Sequence, residues 1–220
     1  LTFISFLAVV ITLRMQKQQL EMQREELQNS IKEMQAQRKE FEEQNETLRI
    51  QRFENTFFQM VTLHNSIVSS INFNKDITGR RAINRFFHGF RNGYANLIYK
   101  DESYNEKTEI ERIRTAYSQF SQEADSHLGH YFRNLYRIVK FIHESYLNDE
   151  EKKVYIGIIR AQLSSSELAL LLYNSICPQG ENFLPLIYKY NLLDNLNTAT
   201  LIKASHFDTF NEQIYTLENY

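Results

Sequence analysis

The sequence is poor both in residues that break helices and in residues that staple chains. Its 220 residues include 6 glycines and 2 prolines, far below the usual shares of about 7% and about 5%, so tight turns are few and long helices follow. A single cysteine, Cys177, cannot close an intrachain disulfide, and no Cys/His pairs stand at zinc spacing. A structural metal site is therefore excluded and a reducing compartment fits best. The formal net charge of -2 excludes a globally basic nucleic-acid binder while leaving room for a local basic patch. There is no glycine-rich phosphate loop, no serine in a G-x-S-x-G elbow and no histidine beside Cys177, which removes P-loop nucleotide hydrolysis and leaves little for hydrolase chemistry. No catalytic residue, metal or cofactor is assigned.

What is present organises the chain into three parts. With 42% hydrophobic residues, it suffices for one ordinary domain plus an appendage. Residues 1–13, LTFISFLAVVITL, form an uncharged apolar run ending at Arg14. Thirteen helical residues rise about 20 Å, short of the roughly 30 Å hydrocarbon layer, so the run is read as the C-terminal part of a transmembrane segment whose remainder lies upstream. Arg14, Lys17 and Arg24 flank it, which puts the rest of the chain on the cytoplasmic side of a bacterial inner membrane.

Residues 14–52 are rich in Gln, Glu, Lys and Arg without Gly or Pro, the composition of a continuous exposed helix. Leu13, Leu20, Leu27, Met34, Phe41 and Leu48 recur every seven residues as one d-like row of a coiled-coil-like stalk. The matching a positions, Lys17, Arg24, Ile31, Arg38 and Asn45, are mostly polar, so the seam is thin. Pairing into a homo-oligomer then depends on the membrane segment or the globular domain holding copies together; the alternative is a single amphipathic helix lying on its own domain.

Residues 53–220 read as a helical bundle, which makes the fold class all-α. The first helix enters the core through Phe53, Phe57, Phe58, Met60, Val61, Leu63, Ile67, Val68 and Ile71, and is interrupted at Asn72 to Gly79. Further helices are expected at Arg80 to Tyr99, Glu109 to Ala124, His127 to Leu147, and Glu150 to Ile176 with Asp149 as N-cap. Pro178 and Gly180 end that helix, a shorter one follows at Glu181 to Tyr190, and the tail from Ala199 is helical or irregular. No strand-like alternation is visible.

Two polar stripes and one basic patch stand out. His130, Arg133, Asn134 and Arg137 share one helical face, and Arg160, Ser164 and Glu167 share another. If the stripes face each other, Arg160 or Arg133 pairs with Glu167 in a buried network that fixes packing. If they line a pocket, the guanidinium groups suit a phosphorylated or anionic ligand; catalysis is the third reading. His127 and His130 lie three residues apart without a defined third ligand, a weak metal signal. The basic patch is Lys75, Arg80, Arg81, Arg85 and Arg91. It reads as a solvated face, as a phosphate-binding surface for nucleic acid or lipid headgroups, or as the partner of the acidic stretch Asp101 to Glu111.

The blocks FENTFFQMVTLHNSIVSSI, LGHYFRNLYRIVKFI and IIRAQLSSSELALLLYNSI resemble the phage abortive infection family of bacterial proteins often labelled AbiC-like. That family is similar in layout, with N-terminal membrane helices, a Gln/Glu-rich coiled segment and a helical domain. The resemblance implies phage defence, in which an infected cell stops growing or dies before phage release. The expected protein is thus a membrane-anchored, non-enzymatic effector that answers a phage-derived trigger, with a protein or nucleic-acid partner from the same defence system. An enzyme or binding module acting on nucleic acid or nucleotide through the Arg/His face, and a plain scaffold, are the alternatives.

Overall fold

Between residues 2 and 70 no Gly or Pro interrupts the chain, and one helix, α1 (Thr2–Ser70), occupies the whole stretch. The computed structural model describes residues 2–100, 104 and 106–218. The chain divides into two units, Leu1–Asn55 and Thr56–Tyr220.

In the first unit, the described side chains from Phe3 to Arg49 are exposed. Lys17 pairs with Glu21, Arg38 with Glu42 and Lys39 with Glu43, each one turn apart. In all three the basic residue precedes the acidic one, the weaker orientation for an i,i+4 pair. The seven-residue row is exposed throughout, with Leu20, Leu27, Met34 and Phe41 all at 62–63%. Phe3, Phe6, Leu7, Val9, Ile11 and Leu13 are exposed as well. Leu1 lies outside the described residues. The apolar stretch stops at Arg14, and among the described residues no helix is long and apolar enough to cross a membrane.

In the second unit, α1 buries Phe57, Val61, His64 and Val68, with Ile71 just past its end, a spacing of three and four that defines one face. Phe58 and Leu63, expected in the core, fall on the other face and are about half exposed. The interruption at Asn72 to Gly79 is not a plain loop: β1 (Asn72–Asn74) and β2 (Ile77–Thr78) pair antiparallel. The Asn74 side chain accepts the amide hydrogens of Asp76 and Ile77, an Asx turn that reverses the chain. Gly79, at φ +64, takes the left-handed conformation that favours glycine, and its amide donates to the Ile71 carbonyl.

The remaining helices are α2 (Arg80–Lys100), α3 (Glu109–Ala124), α4 (His130–His143), α5 (Asp149–Arg160), α6 (Ser165–Ser175), α7 (Leu184–Lys189) and α8 (His206–Glu218). Three boundaries differ from expectation. A π-helical segment, Asp125–Gly129, links α3 to α4. Asn148, not Asp149, caps α5, its side chain accepting from the Glu151 amide while Glu151 accepts from the Asn148 amide. The long helix expected from Glu150 to Ile176 is two helices, because the Glu167 carboxylate accepts the Ser164 amide hydrogen and begins a new helix there.

The core of this unit is α6. Every residue from Glu167 to Ser175 is buried, so α6 is enclosed on all sides, the behaviour expected of a helix apolar around its whole circumference. α2 and α3 pack on it and on each other, and α4 packs on α5 and α7. Phe90 anchors the centre, its ring 5.0 Å from that of Tyr173 and 5.5 Å from that of Tyr117.

Candidate functional site

The π-helical segment sits on the rim of a cavity of about 200 Å³ enclosed by the ends of α3 and α6, the start of α4 and the turn at Glu181–Phe183. Segments of this kind are frequent at functional sites because the extra residue redirects the side chains around it. The walls are aromatic: Tyr117, Phe120, Phe132, Tyr136 and Phe183. Polar groups are few and placed among them, the usual make-up of a ligand site. Asn174 is buried and donates to the Tyr117 hydroxyl at 3.0 Å, and Gln179 donates to the Ser121 hydroxyl at 3.3 Å. At the mouth, Arg133 faces Asp125 at 3.7 Å with both side chains 69% exposed, a pairing too open to hold firmly. One lining residue must be glycine: a Cβ at Gly180 would overlap the Asn174 side chain and backbone carbonyl, whereas one at Gly129 would meet only the exposed Asp125 and Arg133 side chains.

The two polar stripes do not face each other. Glu167 is fully buried, but its partners are Arg80, whose Nε donates to Oε2 at 3.3 Å, and Tyr131, whose hydroxyl donates to Oε1 at 3.2 Å. Burial and the adjacent carboxylate push the Tyr131 phenol far above its ordinary value. The His64 ring lies 5.0 Å from Tyr131 and contacts Asn134 through Nδ1 at 3.3 Å; burial lowers its pKa. Arg160 is elsewhere. It pairs with Asp194 at 3.1 Å and donates to the Asn191 carbonyl at 3.4 Å, at the left-handed residue that ends α7. There the Leu192 amide reaches the Ile187 carbonyl and the Asn191 amide that of Tyr188, the Schellman pattern. The expected pairing of Arg160 or Arg133 with Glu167 is therefore replaced by Arg80, because the break before α6 turns Glu167 towards the start of α2. Arg133 and Arg137 are exposed and His130 is half-buried.

The basic patch likewise splits. Arg80 serves Glu167 and also donates to the Gln162 carbonyl at 2.9 Å. Arg91 donates to the Leu201 carbonyl at 2.9 Å and lies over the Phe87 ring. Arg81 and Arg85 remain exposed on α2. Of the acidic stretch proposed to fold back on the patch, Asp101 and Glu102 lie outside the described residues. Glu111 caps α3 through Thr108, and Glu109 serves a different cluster.

That cluster was not visible in the sequence. Glu109 Oε1 accepts from Tyr94 at 2.6 Å, from Lys203 at 2.7 Å and from His206 Nε2 at 2.7 Å, while Arg112 reaches Oε2 at 3.2 Å. Burial alone would raise its pKa, but the donors from Lys203, Tyr94 and His206 outweigh it and hold the carboxyl at about 2. His206 is fully buried and touches the Tyr173 hydroxyl through Nδ1 at 2.8 Å. Its pKa is lowered by burial against the pull of Glu109, so it is neutral and can donate from Nε2 while accepting from Tyr173. Tyr173 also accepts the Ile202 amide, so the chain of bonds ties α2, α3, α6 and α8 together. Burial pushes the Cys177 thiol up to about 12, where it stays protonated and is a poor nucleophile.

The molecule is thus an all-α protein with an exposed polar stalk and a helical domain carrying an aromatic cavity with an arginine at its mouth. Residues 123–201 match the family described as Putative phage abortive infection protein. The match supports the AbiC-like abortive infection family and points to a function in phage abortive infection. It runs from the last turn of α3 to the turn at Thr198–Thr200. Two of the three sequence blocks, the π-helical segment and most of the cavity wall fall inside it. No curated protein and no solved structure matches the chain.

Proposed function

We propose that this protein is an abortive infection effector anchored at the bacterial inner membrane through its apolar first turns, with the helical domain in the cytoplasm, and that it acts by assembling copies of itself rather than by turnover. The observation that carries this reading is the row Leu20, Leu27, Met34, Phe41 and Leu48, exposed at every seventh residue of α1. A large apolar side chain gains roughly 1.5–3 kcal/mol on full burial, so five of them on one line favour covering by another helix. A second copy presents the same row at the same spacing, the condition for a self-complementary seam. The polar a positions keep that seam weak, so association strengthens when copies are already concentrated at a surface. Leu27→Lys together with Leu48→Lys tests this. The expected result is a smaller mass by light scattering in detergent and a higher plaque count on infected cells. An unchanged mass would remove the stalk from assembly, and a C-terminal reporter active only in the periplasm would overturn the topology.

A further inference from the structure

We infer that the aromatic cavity beside the π-helical segment is a binding site for a mononucleotide, with the base between the rings and the phosphate on Arg133. The inference goes beyond the assembly reading and does not depend on it, since the cavity lies wholly within the unit Thr56–Tyr220.

Volume sets the first limit. About 200 Å³ is below the roughly 300–1,000 Å³ that encloses a drug-sized molecule. One planar ring system enters and any charged remainder stays outside. The walls set the second. Phe120, Phe132 and Tyr136 line the cavity, and stacking on aromatic rings accepts any base. A lipid tail or aliphatic side chain would use the apolar surface but none of the polar groups at the rim. Gln179 and Asn182, exposed at the rim, carry both donors and acceptors, which matches the alternating edge of a nucleobase.

The mouth sets the third limit. Arg133 has Asp125 at 3.7 Å in the open, a contact that a phosphate can replace with two charge-assisted hydrogen bonds from the guanidinium fork. Arg137, exposed one turn further along α4, adds positive potential on the same side. Asp125 opposes a long anionic track, and the formal net charge is -2, so one phosphate is favoured over a polynucleotide backbone. Gly180 brings backbone to the rim where a Cβ would not fit.

Titration calorimetry on the full chain in detergent, with AMP, GMP, CMP and UMP, adenosine, inorganic phosphate and a short single-stranded oligonucleotide, tests the inference. The expected result is binding of at least one mononucleotide with a Kd below about 1 mM. Arg133→Gln should weaken it about tenfold while leaving the nucleoside unaffected. Asn182→Trp, at an exposed rim position that tolerates bulk, should abolish both while the thermal melt stays that of the parent. No heat from any mononucleotide overturns the inference, as does unaltered binding in both variants. Equal affinity for inorganic phosphate overturns the base-binding part, and oligonucleotide binding more than about tenfold tighter assigns the site to single strands instead.

Discussion

The two units of this chain use charge in opposite ways. In Leu1–Asn55 the ion pairs of Lys17, Arg38, Lys39 and Arg49 join neighbours three or four positions apart on an exposed helix. In Thr56–Tyr220 charged groups reach across the fold: Arg80 to Glu167, Lys203 to Glu109, and Arg91 to the Leu201 carbonyl. Local pairs stabilise a helix by a few tenths of a kcal/mol each and say nothing about tertiary arrangement. Long-range pairs with a buried member cost far more to break and fix which helices touch. Residues 14–49 thus leave their side chains exposed, whereas the domain ties its helices together through contacts of its own.

The sharpest way to break that contrast is inside the basic patch. Arg80→Ala leaves the Glu167 carboxylate buried without its cation. A broken buried pair costs roughly 3–5 kcal/mol, and because Arg80 is 48% exposed on its own side water can enter, placing the expected loss near 3 kcal/mol. Arg81→Ala, one residue on and exposed, should stay within about 0.5 kcal/mol. Chemical denaturation of both variants decides it, and equal midpoints would mean that Glu167 finds its compensation elsewhere.

Acidification should act on the domain next. His64, His143 and His206 all have pKa values lowered by burial, so each binds its proton more readily in the unfolded chain. Their contribution is complete above the ordinary value near 6.5 and is lost as pH falls through the lowered folded values. Glu109, held at about 2, has the same sign: its contribution is complete above the ordinary 4.5 and is lost towards pH 2. Melting temperature should be flat above pH 7 and decline by several degrees between pH 6.5 and 4. A midpoint that rises on acidification would contradict the neutral state of His206.

These two predictions concern residues that sequence reading placed unevenly, and the reason is physical. The bounds of α2 and α3 were legible in the sequence, and the capping box of Thr108 and Glu111 that fixes the start of α3 was not used to find them. The break before α6 was not, because no Gly or Pro stands between Gly157 and Pro178 to mark it. Ser164 and Glu167, three apart, carry the capping signal, but within an apolar run they read as a polar stripe. The Arg80 partner lies 87 positions away, and His206 lies 97 from Glu109; no local pattern announces either. Of the cavity, Arg133 stood out in the sequence as part of a polar helical face, whereas the aromatic walls come from three elements, α3, α4 and the turn at Glu181–Phe183, that meet only in the fold.

A smaller effect is expected at Arg160, formerly the natural partner for Glu167. Its bond to Asp194 is made with a carboxylate that is 60% exposed, and exposed pairs contribute about 0–1 kcal/mol. Arg160→Ala should therefore lower stability by no more than about 1 kcal/mol. A loss as large as that of Arg80→Ala would show that the turn after α7 is a keystone of the domain.

The smallest effect on folding, and the most informative for the stalk, belongs to Arg38. Its bond to Glu42 is made with the arginine 82% exposed and in the weaker order, so removing it should leave domain melting unchanged within about 0.5 kcal/mol. Arg38 also stands at an a position, beside Met34 and Phe41 of the apolar row. If two copies meet along that row, a β-branched residue there fills the seam where a charge now resists burial. Arg38→Ile should then leave the domain's melting curve in place while raising the assembled fraction by light scattering at low protein concentration. A helix that works alone would gain only another exposed apolar side chain, and its mass would not change; that outcome would leave the row without a partner and return the stalk to a spacer.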